Sequence, residues 1–297
     1  MDESRPVKWY ARPELRRPYM VAAWSGMGAV ALLSANLMCQ ELSAQPLGEV
    51  DPQAFFSPSQ VLVQEGLVQA PLFPESKFYF WNKGEEHDLI ILIGAEQPAN
   101  GYGMARVVLD IAQQFGVERI HTAAAMATFV HHAHEPRVWG TATDSDLLVE
   151  MQGHGVTVME QGTISGLNGL LLAIARERGI RGLCLLGEIP AYATQMINPA
   201  ASRAVLVVLA RMLGLRIDTT RLDLWAERLA PQMDQLYDVL PDQVKGAIEN
   251  YSTAAPPSPT SHQAEQPLVA DERFFEEIER FLKQRGKPED GETEQGE

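Results

Sequence analysis

The sequence predicts an α/β protein in which helices cover both faces of a central sheet. Residues 88–94 form a strand pattern that is apolar on both sides, which is typical of a central strand covered from above and below. Three helical runs end in a glycine followed by an apolar residue, at Gly116, Gly179 and Gly214. A strand pattern follows the first two glycines, and this alternation of helix and strand predicts a three-layer α/β/α domain.

The other elements are predicted from local composition. β-branched and aromatic residues favour strands, and the predicted strands span residues 19–24, 61–63, 78–81, 88–94, 117–123, 156–159 and 180–186. Apolar periodicity favours helices, and these are predicted over residues 29–42, 102–115, 145–152, 166–178, 199–213 and 222–237. Residues 44–60 contain Pro46, Gly48, Pro52 and Pro58, so we expect them to be mostly loop.

Composition divides the chain into five regions. Residues 1–17 are polar and predict an N-terminal arm on the surface, whereas residues 18–250 predict the α/β/α core with its flanking helices. The predicted C-terminal extension consists of a Pro/Ser-rich linker (251–270), an amphipathic helix (271–286) and an acidic disordered tail (287–297).

The predicted C-terminal helix carries an apolar face. This face consists of Phe274, Phe275, Ile278, Phe281 and Leu282. Because an aromatic face behind a linker must be buried, these residues are candidates for binding another protein. Docking on the chain's own domain or on a sister subunit is the alternative.

Composition also excludes some classes of partner. The net charge of −15 argues against nucleic acid, whose phosphates require a basic surface. Cys39 and Cys184 lie in apolar runs and predict buried thiols in a reducing, cytoplasmic environment. Residues 18–40 lack charge and allow a membrane anchor as an alternative, but small polar residues interrupt the run and favour a buried strand, turn and helix.

Glycine turns supply the candidate ligand site. Gly26-Met27-Gly28 lies between a predicted strand and helix and matches the start of a dinucleotide-binding fingerprint. The next predicted parallel strand is missing, because residues 44–50 form a poor strand, so we expect no cofactor. The alternative function is an enzyme or sensor that binds a small anionic or nucleotide ligand at these turns. Loops that would meet at one sheet edge supply its candidate residues: Ser25, Gly26, Gly28, Gln97, Glu188 and Tyr192.

No catalytic constellation is evident in the sequence. His131, His132 and His134 form a dense polar cluster, but they match no known zinc spacing, so no metal site is predicted. There is no G-x-S-x-G nucleophile elbow. Glu188 stands at the expected carboxyl end of a strand, where α/β enzymes keep their chemistry, but it has no evident partner. We therefore expect no enzyme activity and no catalytic residues.

Four segments together resemble the proteasome assembly chaperone 2 family. They are the strand, turn and helix of residues 18–37, the strand 88–94 running into Glu96-Gln97-Pro98, the turn Gly162-Thr163-Ile164-Ser165-Gly166-Leu167, and Leu185-Leu186-Gly187-Glu188-Ile189-Pro190-Ala191-Tyr192. The resemblance covers about residues 15–230 and implies a sandwich similar to purine nucleoside phosphorylases. It brings no catalytic residues.

The resemblance implies a role in assembling other proteins. It implies a homo-oligomer, with a trimer as one candidate size, and proteasome subunits or another protein as partners. Many bacterial members of the family have no assigned role, and we place this chain among them. Proteasome-binding members can end in a hydrophobic-Tyr-X tail, whereas this sequence ends in Glu294-Gln295-Gly296-Glu297. We therefore expect a different mode of docking.

Overall fold

A computed structural model of the chain describes residues 6–57, 61–95 and 97–253. The strands are β1 (Val7–Trp9), β2 (Tyr19–Trp24), β3 (Gln45–Val50), β4 (Val63–Gln64), β5 (Leu67–Val68), β6 (Ser76–Trp81), β7 (Leu89–Gly94), β8 (Arg119–Thr128), β9 (Val138–Ala142), β10 (Thr157–Val158) and β11 (Arg181–Pro190). The helices are α1 (Val30–Glu41), α2 (Gly101–Gln114), α3 (Ser145–Gly153), α4 (Gly166–Glu177), α5 (Pro199–Met212), α6 (Thr220–Asp238) and α7 (Asp242–Thr253).

Nine strands form one sheet, in the order β1-β3-β6-β7-β2-β8-β11-β9-β10. The four central strands β7, β2, β8 and β11 are parallel, and antiparallel strands flank them on both sides. β4 and β5 pair only with each other and form a separate hairpin. Because the central strands run in one direction, their carboxyl ends lie along a single edge of the sheet.

Helices cover both faces of this sheet, and each face has its own apolar core. Side chains of α1, α3, α5, α6 and α7 pack with one face of the central strands. Side chains of α2 and α4 pack with the other face. The structure thus confirms the predicted three-layer α/β/α fold.

The junctions between helices and strands match the sequence pattern. Gly116, Gly179 and Gly214 follow α2, α4 and α5, and their φ angles are +69°, +71° and +64°. These left-handed conformations favour glycine and end each helix. Among the described residues, no helix is long and apolar enough to cross a membrane.

The structure corrects the predicted loop at residues 44–60, because β3 occupies part of it. Pro46 is tolerated in β3 because β1 pairs only with Gly48–Val50, so no strand requires a hydrogen bond from residue 46 on that side. A register shift between Pro46 and Gly48 marks a bulge. At Gly48 an added Cβ would lie 2.8 Å from the carbonyl oxygen of Lys8, so the close approach of β1 requires glycine there.

Besides β3 and the short β5, three further elements were not predicted from the sequence. β1 lies in the segment predicted to be an arm and forms the edge of the sheet beside β3. β9 pairs antiparallel with β11. α7 follows α6 and contributes Ile248 and Tyr251 to the core that α1 and α5 share. The predicted linker, C-terminal helix and tail beyond residue 253 lie outside the described residues.

Candidate functional site at the carboxyl edge of the sheet

The ligand residues predicted from the sequence, or their partners, lie in four places. These are the segments that follow β2, β7 and β8, and the end of β11. The structure brings these residues to the same edge of the sheet, as predicted from the parallel strands. They do not converge on one pocket. They form four separate arrangements, around Gln97, the two glycines, Glu188 and Tyr192, each of which is built from contacts within the chain.

Gln97 forms the first arrangement by bridging two loops. Its Nε2 donates a 2.7 Å hydrogen bond to the carbonyl oxygen of Ser25. Its Oε1 accepts a 2.9 Å bond from the backbone N–H of Leu167. The N-cap residue of α4 is Ser165, which makes no side-chain capping bond, so Gln97 from a distant loop satisfies an N–H of the first turn. Gln97 is therefore occupied in holding the edge together.

Gly26 and Gly28 form the second arrangement, facing the segment Thr194–Ile197 across an open cavity of about 250 Å³. The backbone N–H of Gly28 donates to the carbonyl oxygen of Thr194 at 3.3 Å, and the N–H of Asn198 donates to that of Gly28 at 2.7 Å. Ligand pockets for drug-sized molecules usually measure about 300–1,000 Å³. The cavity is thus smaller than most such pockets, and backbone bonds tie its two walls together.

The surroundings of these glycines differ from a dinucleotide-binding unit. After α1 the chain runs to β3, which lies between β1 and β6 rather than beside β2. The neighbours of β2 are β7 and β8. A Rossmann unit requires the next strand to pair in parallel with the first, with an acidic residue at its end. The sequence match at Gly26-Met27-Gly28 is therefore a tight turn in a different topology.

Glu188 forms the third arrangement, and its position corrects the sequence-based expectation. It lies within β11, not in a loop after it, because β11 pairs with β8 as far as Pro190. The side chain is buried, and its Oε1 accepts bonds from the hydroxyls of Thr128 at 2.9 Å and Tyr251 at 2.6 Å. The backbone N–H of Arg137 donates to Oε2 at 3.3 Å. Glu188 is therefore a satisfied buried carboxyl group that joins β8, β11 and α7.

Tyr192 connects the histidine cluster to this edge. Its hydroxyl accepts a 3.0 Å bond from the backbone N–H of His132 and lies 2.6 Å from Nδ1 of the same residue. Nε2 of His132 lies 3.0 Å from Oδ1 of Asp234 on α6. This pattern indicates that the Tyr192 hydroxyl donates to Nδ1 and that Nε2–H donates to Asp234. Burial raises the pKa of Tyr192, so its hydroxyl stays protonated at neutral pH.

The other two histidines pack around His132. The ring of His131 stacks on His132 with centroids 4.3 Å apart and meets the edge of Tyr237 at 4.4 Å. Burial, followed by the charges of His132 and His134, lowers the pKa of His131. Within the described ranges, no group of three His, Cys, Asp or Glu side chains could hold a metal ion. The cluster attaches α6 to the segment after β8.

The space between Glu188 and the histidines is small. The cavity there has a volume of about 40 Å³ and is lined by His132, Glu188, Asn198 and Met233, among others. A single water needs about 10–15 Å³ of such space, so this cavity suits a few waters rather than a drug-sized ligand. α6 and α7 thus fill the part of the edge where α/β enzymes commonly bind their ligands.

A second surface at the same edge was not identified from the sequence. β3 ends and β6 begins at the carboxyl end of β7, so the hairpin between them projects from this edge. The residues that we call the hairpin surface are apolar and more than half exposed: Val61, Leu62, Val63, Leu67, Val68 and Leu72. Residues 61–63 were predicted to be a strand, but only Val63 belongs to one, β4. The sequence did not show that β4 and β5 stand apart from the main sheet.

The remaining predicted residues are less informative. Phe274, Phe275, Ile278, Phe281 and Leu282, the candidates for partner binding, lie outside the described residues. Cys39 and Cys184 are both free, and burial raises the pKa of each thiol to about 12. Neither thiol is therefore activated as a nucleophile at neutral pH.

Comparison with solved structures finds proteins of the same fold. PbaB of Pyrococcus furiosus, described as an archaeal proteasome activator, is similar with a TM-score of 0.66 and 30% sequence identity, over 78% of this chain and 98% of that one. PbaA of the same organism, described as an archaeal homolog of proteasome-assembly chaperone, has a TM-score of 0.61 and 25% identity, over 84% of this chain and 99% of that one.

Sequence comparison agrees with these structures. The uncharacterized protein MJ1210 of Methanocaldococcus jannaschii is 26% identical over 254 residues, which cover 84% of this chain and 91% of that protein. A sequence model of the PAC2 family matches residues 20–237, from β2 to the end of α6. Since this match spans most of the chain, the protein belongs to the PAC2 family.

Proposed function

We propose that the protein is a cytoplasmic, non-enzymatic, oligomeric assembly chaperone that binds other proteins. The observation that carries this proposal is the contrast between the two surfaces at the carboxyl edge. The part of the edge used by many α/β enzymes is filled by α6, α7 and their contacts with Glu188 and His132. The hairpin surface beside it exposes apolar side chains. Monomeric soluble proteins rarely expose contiguous apolar patches larger than a few hundred Å², and such large patches mark interaction sites.

Proteasome subunits are the first partners to test, because PbaB and PbaA are described as a proteasome activator and as a homolog of a proteasome-assembly chaperone. The purified full chain would be mixed with purified proteasome α subunits and examined by analytical ultracentrifugation. We expect a complex of defined stoichiometry at micromolar concentration. Separate sedimentation of the two proteins across that range would contradict the proteasome version of the proposal.

The contribution of the C-terminal region to this binding is tested with a second variant. A chain truncated after Thr253 keeps all of α7 and removes the predicted linker, helix and tail. If the apolar face containing Phe274 and Phe281 is the contact, the truncated chain loses the complex but keeps its fold. Undiminished binding would assign the contact to the described core instead.

The second candidate function is binding of a small ligand at the turn of Gly26 and Gly28. The open cavity of about 250 Å³ between this turn and Thr194–Ile197 favours it. Gly26 has an extended backbone and an added Cβ there meets nothing within 4 Å, so Gly26→Trp should place a bulky ring at the cavity that Gly26 lines without straining the turn. This proposal predicts that a small molecule co-purifies with the natural chain and is absent from Gly26→Trp. Equal retention by both proteins would contradict it.

A further inference from the structure

The hairpin surface needs a partner. Half of the large hydrophobic side chains that are exposed in the described ranges belong to it, and Leu72 is 75% exposed. β4 and β5 pair only with each other, so the main sheet does not support the hairpin through backbone hydrogen bonds. A two-stranded hairpin alone is marginally stable in water, and contact with another surface would stabilise it.

An apolar groove of suitable character lies elsewhere on the same chain. We call it the β1–α2 groove, an open cavity of about 430 Å³ between the first strand and α2. Its apolar lining consists of Val7, Trp9, Val107 and Ile111. Two charged residues, Arg12 and Asp110, also line it. The guanidinium of Arg12 lies over the Trp9 ring at 5.8 Å. Apolar and aromatic centres with an arginine are typical of protein–protein contacts.

The charges of the two surfaces are complementary, because Asp110 of the groove already pairs with Arg178 at 2.6 Å and leaves Arg12 as the unpaired charge among the described groove residues. The chain has a net charge of −15, so two copies repel each other over most of their surfaces. Residues 61–74 contain a single charged side chain, Glu65, at the tip of the hairpin. Arg12 at the groove forms no ion pair with a carboxylate of the described chain. Two copies can therefore approach through these surfaces at low electrostatic cost.

We propose that a second copy of the chain is the partner, with the hairpin surface of one copy in the β1–α2 groove of the next and Glu65 facing Arg12. This proposal rests on the proposed self-association and names its contact surfaces. The contact is heterologous, because different surfaces of the two copies meet. Heterologous contacts form a closed ring when the rotation between copies closes.

The hairpin half is tested with Leu67→Ser/Val68→Ser, two substitutions at exposed positions that leave both cores intact. Val149→Ser on α3 is the matched control, since Val149 is also 68% exposed but lies far along the chain from both surfaces. Multi-angle light scattering after gel filtration should show an oligomer for the natural chain and the control, and a monomer for the double variant. An oligomer of unchanged mass in the double variant would overturn the proposal.

Mixing two defective copies tests the pairing of the surfaces. Val107→Glu places a charge in the groove, and Leu67→Ser/Val68→Ser disables the hairpin. Each variant alone should be monomeric. An equimolar mixture retains one intact hairpin and one intact groove, so it should form a 1:1 dimer and nothing larger. A mixture that stays monomeric, or that regains the full oligomer, would overturn the heterologous contact.

Charge reversal tests the predicted neighbours. Glu65→Lys and Arg12→Glu should each weaken assembly several-fold, and the two together should restore it towards the natural value. If assembly of the double variant is no stronger than that of the single variants, Arg12 is not the partner of Glu65. If all hairpin variants assemble normally, self-association stands but this interface is wrong. If the natural chain is monomeric at every concentration, both proposals are wrong.

Discussion

The hydroxyl of Tyr251 donates a 2.6 Å hydrogen bond to Oε1 of Glu188, and so fastens α7 to the end of β11. Both side chains are buried, and burial together with the charge of Glu188 raises the pKa of Tyr251. α7 lies beyond residues 20–237, the part of the chain that matches the PAC2 family. The bond therefore ties a helix that lies beyond the matched segment to the carboxyl edge of the sheet.

Tyr251→Phe tests this bond. The substitution removes one of the two hydroxyl donors to Oε1 of Glu188 and leaves the carboxyl group buried, so we expect a loss of about 1–3 kcal/mol in the free energy of unfolding. Urea denaturation gives the magnitude, and hydrogen exchange should quicken in α7 before the rest of the core. Tyr102→Phe on the surface of α2 is the control, and an equal loss there would contradict the role given to Tyr251.

Gly28 and Gly26 should respond differently to alanine. Gly28 has a φ angle of +63°, and an added Cβ would lie 3.2 Å from Cβ of Asn198. Gly26 has an extended backbone with φ −172°, and its Cβ would meet nothing within 4 Å. We expect Gly28→Ala to cost about 1–2 kcal/mol of stability and Gly26→Ala to be nearly neutral. Thermal unfolding of both variants measures this, and equal costs would contradict the geometry.

Gln97 should stabilise the start of α4 through its side-chain oxygen. Gln97→Leu removes both the bond to Ser25 and the bond from Leu167, whereas Gln97→Glu keeps an acceptor for Leu167 only. A neutral hydrogen bond contributes about 1 kcal/mol, so we expect faster hydrogen exchange at the amide of Leu167 in the Leu variant. The Glu variant should keep that amide protected. Equal protection of the Leu167 amide in both variants would show that Gln97 does not cap α4.

His121 should make the protein less stable as the pH falls. Burial, with a smaller contribution from the charge of Arg119, lowers the pKa of His121 to about 3. The folded state therefore favours the neutral ring, and protonation in the unfolded chain, with a pKa of about 6.5, favours unfolding. The stability that His121 contributes is complete above that pH and is lost as the pH falls towards 3.

Denaturation curves at several pH values measure this effect. The free energy of unfolding should fall by up to about 1.4 kcal/mol per pH unit below pH 6 because of this one group. His121→Met should reduce that slope by the same amount, because it removes this one group. An identical slope in the natural chain and in His121→Met would contradict the burial of a neutral ring.

Local patterns in the sequence predicted the layers of the fold but not all of its pairings. The apolar run at 88–94 and the glycines at 116, 179 and 214 marked β7 and three helix ends correctly. Pro46 and Gly48 argued against a strand at β3, since both residue types are rare inside strands. The sequence does not show that the neighbouring strand needs no N–H from residue 46, or that it approaches Gly48 closely. That information exists only in the assembled sheet.

The site was predictable in place but not in its contacts. Parallel strands predicted that Ser25, Gln97 and Tyr192 would lie at one edge, and they do. The sequence did not show that Glu188 lies within β11, or that Tyr251 would satisfy its carboxyl group. Hydrogen bonds between residues more than 60 positions apart leave no local signature, so these partners emerge only from the packing of α7 on the sheet.

Native mass spectrometry of the full chain, gently purified from its own host, tests the central claim most directly. The measurement reports subunit number and retained small molecules together. The account predicts a closed oligomer without a bound small molecule, either alone or with a second protein. A monomer that carries a stoichiometric small molecule would contradict it and would point to the turn at Gly26 and Gly28.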